Sequence, residues 1–286
     1  MKISKLKKFK NWSENYWDHI NRNIGYVTID EQERIRRTKV AVLGVGGLGG
    51  SVAEQLIRSG NENIAICDND IFEQSNLNRQ LCGTQDLGKY KIDVLEELLT
   101  QINPNSQIKK YLKIDENNIS EVLKDVKVVN LALDDPLTSI LIARYCRNHK
   151  IPIIESWAVP YLYSWWFTEE NAEYEEIYGL RIKDKPIQEL RSSGEKIISD
   201  VKKALIPKIL GLPGFTKFLD REKGALNQML NGQIPLRSLA PIVRLSASYI
   251  AFDLIFSGIL KIKKRILAPE IIGYDYMKME IIKLSL

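Results

Sequence analysis

A glycine-rich segment at residues 44–49, with the letters GVGGLG, separates the apolar run Val40–Leu43 from a stretch with helical spacing at residues 51–59. This is a G-x-G-x-x-G pattern between a predicted strand and a predicted helix. The first glycine permits a tight turn, the second lets backbone amides approach a phosphate, and the third lets helix and strand pack closely. The sequence therefore predicts a phosphate-binding turn at a helix N-terminus, where the helix dipole also favours an anion. The alternative is a glycine-rich turn that only packs tightly.

Strand-like and helix-like patterns alternate through the first half of the chain. Short apolar runs predict buried strands, and segments with apolar residues three or four apart predict helices. This alternation indicates an α/β fold, a doubly wound, Rossmann-like and mostly parallel sheet with helices on both faces. The predicted strands cover Val40–Leu43, Asn63–Cys67, 107–114, 126–133 and 152–155, and the predicted helices cover 51–59, Lys91–Ile102, 119–124 and 138–149.

The two ends of the chain depart from this pattern. Residues 1–37 are polar with helical spacing and predict an N-terminal helical segment, which leaves residues 38–286 as a nucleotide-binding domain. After a predicted strand at Leu162–Phe167, the region from about 170 to 236 predicts a helical insertion, either a solvated cover or a surface that docks a substrate. Alternation at residues 273–286 predicts antiparallel closing strands.

The composition is that of an ordinary globular protein, with 44% hydrophobic and 27% charged residues among 286. The net charge of +5 is small and spread along the chain, so nucleic acid is not expected as a partner. The apolar stretch at 239–260 contains Arg244 and Asp253, which predicts a buried helix rather than a membrane span. The basic N-terminus lacks the apolar core of a signal peptide, so we expect a cytoplasmic protein with no membrane partner.

The cysteine and histidine content argues against a structural metal site. The chain has two histidines and three cysteines, and it contains neither a C-x-x-C nor an H-E-x-x-H motif. Neither a zinc site nor a disulfide framework is therefore predicted. Cys82 comes shortly after Arg79 and is the one cysteine expected near a binding site. A small buried apolar residue is the simpler interpretation of it.

Charged residues follow the second predicted strand. Asp68 ends that strand, where a carboxylate can accept hydrogen bonds from ribose hydroxyls, and a solvated turn aspartate is the alternative. Arg79 can make a two-pronged contact with phosphate, and Lys91 begins the next predicted helix as a point charge. A nicotinamide cofactor needs no such cationic clamp, whereas a nucleoside triphosphate does during transfer at its α-phosphate. The clamp therefore disfavours an NAD(P)-linked oxidoreductase.

Asp134 and Asp135 follow the fourth predicted strand, at the sheet edge where open α/β sheets bind their ligands. A carboxylate at this position could hold Mg²⁺ against the phosphates. The two aspartates could instead cap the helix that follows. The residues alone leave both interpretations open.

Five motifs, VLGVGGLG, CDND, SNLNRQ, GKYK and LDD, occur in an order that resembles the ThiF/MoeB/HesA family, the bacterial relatives of ubiquitin-activating enzymes. The similarity extends from about residue 13 to 165 and again from about 238 to 286. The resemblance implies an enzyme that uses ATP and Mg²⁺ to adenylate the C-terminal carboxylate of a small carrier protein or a ribosomal peptide. Such a carboxylate is already ionised at neutral pH, so its attack on phosphorus needs little proton transfer.

The resemblance also implies a catalytic set and a nucleotide-binding set of residues. In the catalytic set, Asp134 would hold magnesium, and Arg22 would reach into the site of a partner subunit, which implies a homodimer with shared sites. In the nucleotide-binding set, Asp68 would hold the ribose and Asn76 would contact the phosphates. The catalytic set is Arg79, Lys91, Asp134 and Arg22, and the nucleotide-binding set is Gly44, Gly46, Gly47, Gly49, Asp68, Asp70, Asn76, Arg79 and Lys91.

The chain departs from many relatives in two respects. Those relatives carry two C-x-x-C pairs that bind zinc, or a reactive cysteine after the central strands, whereas residues 147–286 contain no cysteine. We therefore expect no zinc and no thioester in that segment, and both peptide natural-product biosynthesis and adenylation in sulfur transfer stay open. A non-catalytic peptide-binding or partner-binding module in a modification complex is the main alternative. The presence of Arg79, Lys91 and Asp134 together argues against it.

Overall fold

The computed structural model describes residues 9–158, 162–183, 185–192, 220–231, 233–235, 237–275 and 278–285. Strands within these ranges form one sheet. They are β1 (Val40–Leu43), β2 (Asn63–Cys67), β3 (Gln107–Tyr111), β4 (Val128–Leu131), β5 (Ile153–Ala158), β6 (Leu162–Phe167), β7 (Glu270–Asp275) and β8 (Glu280–Ser285).

The sheet has the order β3-β2-β1-β4-β5-β6-β7-β8. Strands β1 to β5 run parallel to one another, and β6, β7 and β8 are added in antiparallel pairs. The predicted Rossmann-like, mostly parallel sheet with antiparallel closing strands is therefore confirmed.

Helices surround this sheet. They are α1 (Glu14–Ile20), α2 (Ile29–Arg37), α3 (Gly47–Arg58), α4 (Lys91–Ile102), α5 (Ile119–Val122), α6 (Pro136–Asn148), α7 (Tyr174–Ile177), α8 (Ile187–Ser192), α9 (Ala225–Leu230) and α10 (Ala240–Asp253), which continues into a π-helical turn at Leu254–Ile259.

Both faces of the sheet are covered, which is why β1 is apolar at every position. Its residues Ala41 and Leu43 belong to one buried cluster, whereas Val40 and Val42 belong to another. Buried residues of α5, α6, α7 and α8 complete the first cluster, and those of α3, α4 and α10 complete the second. A strand buried on both faces needs no polar alternation, so a continuous apolar run fits it.

The central parallel strands end together at one edge of the sheet. Leu43 of β1 is level with Cys67 of β2 and with Leu131 of β4, and Tyr111 of β3 is level with Cys67. The segments that follow these strands therefore emerge side by side. They include the glycine-rich turn, the loop after β2 and the Asp134–Asp135 pair.

The glycine-rich turn is shorter than predicted. Helix α3 begins at Gly47 rather than at the predicted residue 51, so the predicted start of this helix is wrong. Glycine has a low helix propensity, but the neighbouring backbone comes too close to Gly49 for any side chain there. A Cβ atom at Gly49 would lie 1.8 Å from the carbonyl oxygen of Gly44. Close packing of α3 on β1 therefore decides where the helix begins.

Strand ends also differ from the predictions. Strand β4 is shorter than the predicted 126–133, and β3 ends before the predicted residue 114. Strand β5 extends beyond the predicted residue 155, because its second half pairs with β6 as far as the Ala158–Leu162 pair. Helix α6 begins two residues before the predicted residue 138, with a proline in its first turn.

The N-terminal helical segment packs against the C-terminal end of α3. The hydroxyl of Tyr16 donates a 2.8 Å hydrogen bond to the carbonyl of Gly60, and Gln32 donates one of 2.8 Å to the carbonyl of Ser59. Ile35 of α2 is buried in the same cluster as Val40 of β1. The boundary at residues 37 and 38 stays a prediction.

Part of the predicted insertion at about 170–236 lies outside the described residues. Within the part that is described, α7 and α8 contribute Ile177 and Leu190 to the first buried cluster. The apolar segment Ala240–Ile259 is long enough to cross a bilayer, but most of it is buried inside the protein. Helix α10 packs on α3, which agrees with the prediction of a core helix.

Candidate nucleotide-binding site

Gly44 holds the glycine-rich turn against both neighbouring strands. Its φ of +90° is unfavourable for other residues, and a Cβ atom there would lie 2.2 Å from the carbonyl oxygen of Ala132, just after β4. Its N–H donates a 2.8 Å hydrogen bond to the carbonyl of Cys67 at the end of β2. This glycine is therefore required by the fold itself.

Gly46 differs, because no atom of the described residues crowds it. The nearest such atom to a Cβ at Gly46 would be Nε2 of Gln80, at an ordinary contact distance of 3.8 Å. Gly46 is also the N-cap of α3, and no side chain in the described part of the chain makes a capping hydrogen bond there. The first amides of α3 thus have no side-chain acceptor and lie beside an open space that a side chain at Gly46 would fill. This combination fits an anionic group.

Asp68 supports the turn from the end of β2. The buried carboxylate accepts hydrogen bonds from the N–H of Val45 at 2.8 Å and from the N–H of Asp70 at 2.9 Å. One bond fixes the glycine-rich turn, and the other fixes the start of the loop that leads to α4. Asp68 therefore lies where the sequence predicts it, next to the turn, and it also holds the backbone in place.

Lys91 and Asp70 form an ion pair of 2.6 Å at the start of α4. The backbone assists this contact, because the N–H of Lys91 donates a 3.0 Å bond to the carbonyl of Asp70. The lysine side chain is buried, whereas 61% of the aspartate side chain is exposed. A buried ammonium group facing an exposed carboxylate can exchange that partner for a ligand anion.

Arg79 lies beside the first turn of α3. A Cβ at Gly47 would lie 3.4 Å from Cγ of Arg79, and the guanidinium group donates to the Ser75 carbonyl at 3.0 Å and to Oδ1 of Asn78 at 2.8 Å. The predicted neighbour Asn76 is buried and accepts a bond from a backbone N–H of its own turn. Arg79 is thus held near the helix N-terminus by local contacts alone.

The two aspartates after β4 have separate positions. Asp135 is the N-cap of α6, where it accepts from the N–H groups of Leu137 at 3.2 Å and Thr138 at 3.3 Å and from the Thr138 hydroxyl. Asp134 is not part of this cap and lies near the charged residues of the candidate site. The two interpretations that the sequence left open therefore each apply to one aspartate.

Asp134 shares its surroundings with the other predicted charges. Asp134 is exposed to solvent, but the protein around it displaces part of the water that would otherwise hydrate its carboxylate. This partial desolvation raises the pKa of Asp134, the cations of Lys91 and Arg79 lower it, and the carboxylates of Asp70 and Asp68 raise it further. Asp134 is therefore close enough to the other four charges to be affected by them, and these five residues form the nucleotide-binding cluster.

Gln80 is a residue for which the sequence suggested no role. It is buried, its Oε1 atom has no hydrogen-bond partner among the described residues, and its Nε2 atom is the nearest of their atoms to a Cβ at Gly46. A buried amide with an orphaned oxygen is costly unless it has a function or a missing partner. Its position directly after Arg79 in the SNLNRQ motif was the available signal.

Two predicted residues lie apart from this cluster. Arg22 is exposed in a short 3₁₀ turn, Asn21–Asn23, at the C-terminal end of α3, so the structure does not bring it to the site of its own chain. Cys82 is half-buried, and burial together with the charge of Asp86 raises its pKa, which disfavours a thiolate nucleophile.

The described residues contain no group of three or more histidine, cysteine, aspartate or glutamate side chains arranged to hold a metal. Asp134 offers one carboxylate among the charges of the nucleotide-binding cluster, and it is not used in capping α6. That donor suits Mg²⁺, which keeps most of its ligands from water and phosphate.

The chain is similar in sequence to known proteins. The sequence model of the ThiF family matches residues 20–285. The adenylyltransferase and sulfurtransferase UBA4 of Candida glabrata is 35% identical over 119 residues, 41% of this chain and 28% of that protein. The molybdopterin-synthase adenylyltransferase of Haemophilus influenzae is 30% identical over 136 residues, 46% of this chain and 56% of that protein. The matches thus cover at most a little over half the length of these relatives.

Solved structures share the fold. The crystal structure of PaaA has a TM-score of 0.69 at 19% identity, and the match covers 99% of this chain and 86% of PaaA. The complex of Escherichia coli MccB with AMPCPP and MccA has a TM-score of 0.66 at 20% identity, and the match covers 96% of this chain and 72% of MccB. At these identities the likeness shows the fold alone.

Proposed function

Because this chain belongs to the ThiF family, we propose that it is an ATP-dependent adenylyltransferase that activates the C-terminal carboxylate of a small carrier protein or a peptide. The observation that carries this proposal is the group of charges, Arg79, Lys91 and Asp134, which affect one carboxylate together and of which Arg79 lies against the first turn of α3. A binding module without catalysis has no need of such a group. The named relatives are adenylyltransferases, which supports this function over an NAD(P)-linked oxidoreductase.

In the proposed reaction, a carboxylate oxygen of the substrate forms a bond to the α-phosphorus of ATP. The bond between the α-phosphorus and the bridging oxygen breaks, and pyrophosphate leaves with that electron pair. The first amides of α3 bind phosphate oxygens, and Arg79 and Lys91 neutralise the charge that builds up on them. Catalysis then rests on positioning and on charge stabilisation rather than on a protein base.

Lys91 must change partners in this reaction. Without a nucleotide its ammonium group pairs with Asp70. A triphosphate carries more negative charge than one carboxylate, so we propose that Lys91 turns to the phosphates and leaves Asp70 in solvent. The loop after β2 then contributes the ribose-binding carboxylate of Asp68.

We propose that Asp134 holds Mg²⁺ and that Gln80 donates a hydrogen bond to a phosphate. When bound, the metal would supply positive charge that offsets the negative charge of the triphosphate. Asp134 can provide it with an oxygen ligand, because its carboxylate is not used in capping α6. The Nε2 atom of Gln80 faces the space where phosphate is proposed to lie.

ATP–pyrophosphate exchange tests the function. The exchange is expected with a candidate peptide or carrier protein that has a free C-terminal carboxylate and not with the same polypeptide ending in an amide. This matched pair isolates the proposed nucleophile. Tight binding of both forms without exchange would instead indicate a non-catalytic module.

We also propose a homodimer in which Arg22 completes the site of the partner subunit. The position of Arg22 supports this proposal. Arg22 lies at the C-terminal end of α3, whereas the glycine-rich turn lies at its N-terminal end, about 18 Å away along a helix of 12 residues. Mixing Arg22→Ala and Arg79→Ala proteins is expected to restore part of the exchange activity that each lacks alone. If the mixture stays as inactive as the two variants, the shared site is wrong.

We propose a cytoplasmic location as well. Cys67, Cys82 and Cys146 are all free thiols, which suits a reducing compartment. Recovery of the native protein in the cytosolic fraction of its cells would support this location, and recovery in the membrane fraction would contradict it.

A further inference from the structure

A depression in the surface lies at the edge of the sheet opposite to the nucleotide-binding cluster. It has a volume of about 680 Å³, is open to solvent, and lies where the central parallel strands begin and α2 ends. None of the proposed catalytic residues lines it. It is therefore separate from the site proposed for ATP.

The charge of this basic depression is strongly one-sided. Two carboxylates, those of Glu33 and Asp125, face five cations, which leaves three positive charges in excess. The cations are Arg34, Arg37, Lys39, Lys109 and Lys127.

Some of these cations already have structural partners. Arg34 donates 2.9 Å bonds to the carbonyls of Ile259 and Leu260, and Arg37 pairs with Glu33. Lys109 and Lys127 are different, because both are exposed and neither has an ion-pair or hydrogen-bond partner for its side chain within the described ranges. These two lysines supply the charge that is available to a ligand.

The strand register relates Lys109 of β3 to Lys39 and Lys127, which directly precede β1 and β4. Lys109 of β3 is level with Ala65 of β2 and so with Ala41 of β1. Lys39 lies two residues before Ala41, and Lys127 is beside Lys39, to whose carbonyl its N–H donates a 2.9 Å bond. All three lysines line the depression.

This arrangement keeps positive charges close together. Partial burial lowers the pKa of Lys39, and the neighbouring charges of Lys109 and Lys124 lower it further, while Asp125 has the opposite effect. A bound anion would relieve the repulsion between these lysines.

We propose that the basic depression binds an acidic segment of a partner polypeptide. The cations extend from β3 to β4, three strand spacings or about 14 Å, which matches an extended chain with several carboxylates better than a single phosphate. None of the described residues that line it is aromatic, so it offers no surface on which nucleic-acid bases could stack. Exposed Gln107 at the start of β3 can bond to a peptide backbone. This inference does not depend on the proposed adenylation.

Fluorescence anisotropy with a labelled oligoglutamate peptide tests the site. Saturable binding is expected at low salt, with much weaker binding of oligoglutamine. The double variant Lys109→Gln, Lys127→Gln is expected to bind oligoglutamate about tenfold more weakly, because it removes the two unpartnered charges. The double variant Lys113→Gln, Lys283→Gln changes the net charge equally at exposed positions outside the depression and is expected to bind as the unaltered protein does.

Three results would overturn the proposal. They are equal binding of oligoglutamate and oligoglutamine, an equal loss of affinity in both double variants, and displacement of the peptide by inorganic phosphate beyond the effect of sodium chloride at the same ionic strength. The last result would mean that the depression binds phosphate. Binding of an ATP analogue is expected to be the same in both double variants, which separates this site from the nucleotide-binding cluster.

Discussion

The buried ammonium group of Lys91 lies 2.6 Å from the exposed carboxylate of Asp70. A buried lysine without a neutralising partner is costly, so this pair stabilises the start of α4 when no nucleotide is bound. A triphosphate that binds at the glycine-rich turn has to compete with Asp70 for the same ammonium group. The pair therefore links nucleotide binding to the loop between β2 and α4.

Asp70→Asn is expected to strengthen the binding of a non-hydrolysable ATP analogue by about twofold to fivefold, the range of a partly exposed charge pair. The substitution removes the competing carboxylate and its repulsion of the phosphates. Calorimetric titration measures the affinity, and Asp93→Asn on the exposed side of α4 is the control. If Asp70→Asn weakens binding, Asp70 holds Lys91 in position rather than competing with the ligand.

The sequence predicts the members of this cluster but not the contacts among them. Asp68, Arg79 and Lys91 can be found from motifs, because each follows or begins a recognisable element. The pairing of Lys91 with Asp70 depends on the loop after β2 returning to the start of α4, where Ile71 and Tyr90 form an isolated β-bridge. A contact made by a loop of this length is not encoded in any local pattern.

Gly44 is required by the fold, whereas Gly46 is required only by the proposed function, and substitution of each by alanine tests this difference. Gly44→Ala is expected to destabilise the protein by about 3 kcal/mol or more, because it combines a positive φ with a backbone clash. Gly46→Ala is expected to change the free energy of unfolding by less than about 1 kcal/mol, since it meets no close atom.

The same two variants should differ in nucleotide binding. A methyl group at Gly46 occupies the space proposed for phosphate. Gly46→Ala is therefore expected to weaken the binding of the ATP analogue at least about tenfold while the protein stays folded. Thermal denaturation and calorimetric titration of one preparation give both quantities. Unchanged affinity in Gly46→Ala would place the phosphates elsewhere.

Elements with clear boundaries in the sequence are predicted well, and those set by packing are not. The bounds of β2, α4 and β6 agree with prediction, because turn-forming or polar residues flank each apolar pattern. The π-helical turn after α10 was not predicted. It begins beside Asp253, a buried carboxylate that accepts 2.6 Å bonds from Nε1 of Trp166, Oγ of Ser257 and Nζ of Lys263. Residues distant in sequence thus fix the shape of this helix end.

Substitutions of Asp134 and Asp135 should affect different properties, exchange activity for Asp134 and stability for Asp135. Asp134→Asn is expected to lower the exchange rate at least about a hundredfold, because it removes the proposed metal ligand. Asp135→Ala removes the N-cap of α6, so a loss of about 1 kcal/mol in the free energy of unfolding is expected, with a smaller effect on exchange. Comparable losses of exchange in the two variants would contradict the separate roles.

The pH dependence of stability gives a further test of Asp134. Burial raises its pKa in the folded protein, so its ionised form opposes folding at neutral pH. Asp134→Asn is therefore expected to raise Tm slightly at neutral pH. The difference should disappear as the pH falls through the raised pKa and below the ordinary aspartate value of about 3.9. A lower Tm for Asp134→Asn at neutral pH would show that the ionised carboxylate stabilises the fold.

Gln80 is expected to affect nucleotide binding through its side-chain N–H. Gln80→Met keeps the length of the side chain and removes the donor, so we expect about fivefold weaker binding of ATP, the value of one hydrogen bond. Gln80→Glu adds a negative charge and should weaken binding further. A binding role predicts a raised KM for ATP with little change in kcat. Equal KM values in the unaltered protein and the two variants would show that Gln80 has only a structural role.

Direct measurement of nucleotide binding is the strongest test of the proposed site. We expect saturable binding of AMPCPP with Mg²⁺ to the unaltered protein and at least about tenfold weaker binding to Arg79→Ala, with no change in Tm. Arg58→Ala, which removes an exposed arginine at the far end of α3, is expected to bind normally. Absence of binding to the unaltered protein, or equal binding to Arg79→Ala, would contradict a triphosphate site at the glycine-rich turn.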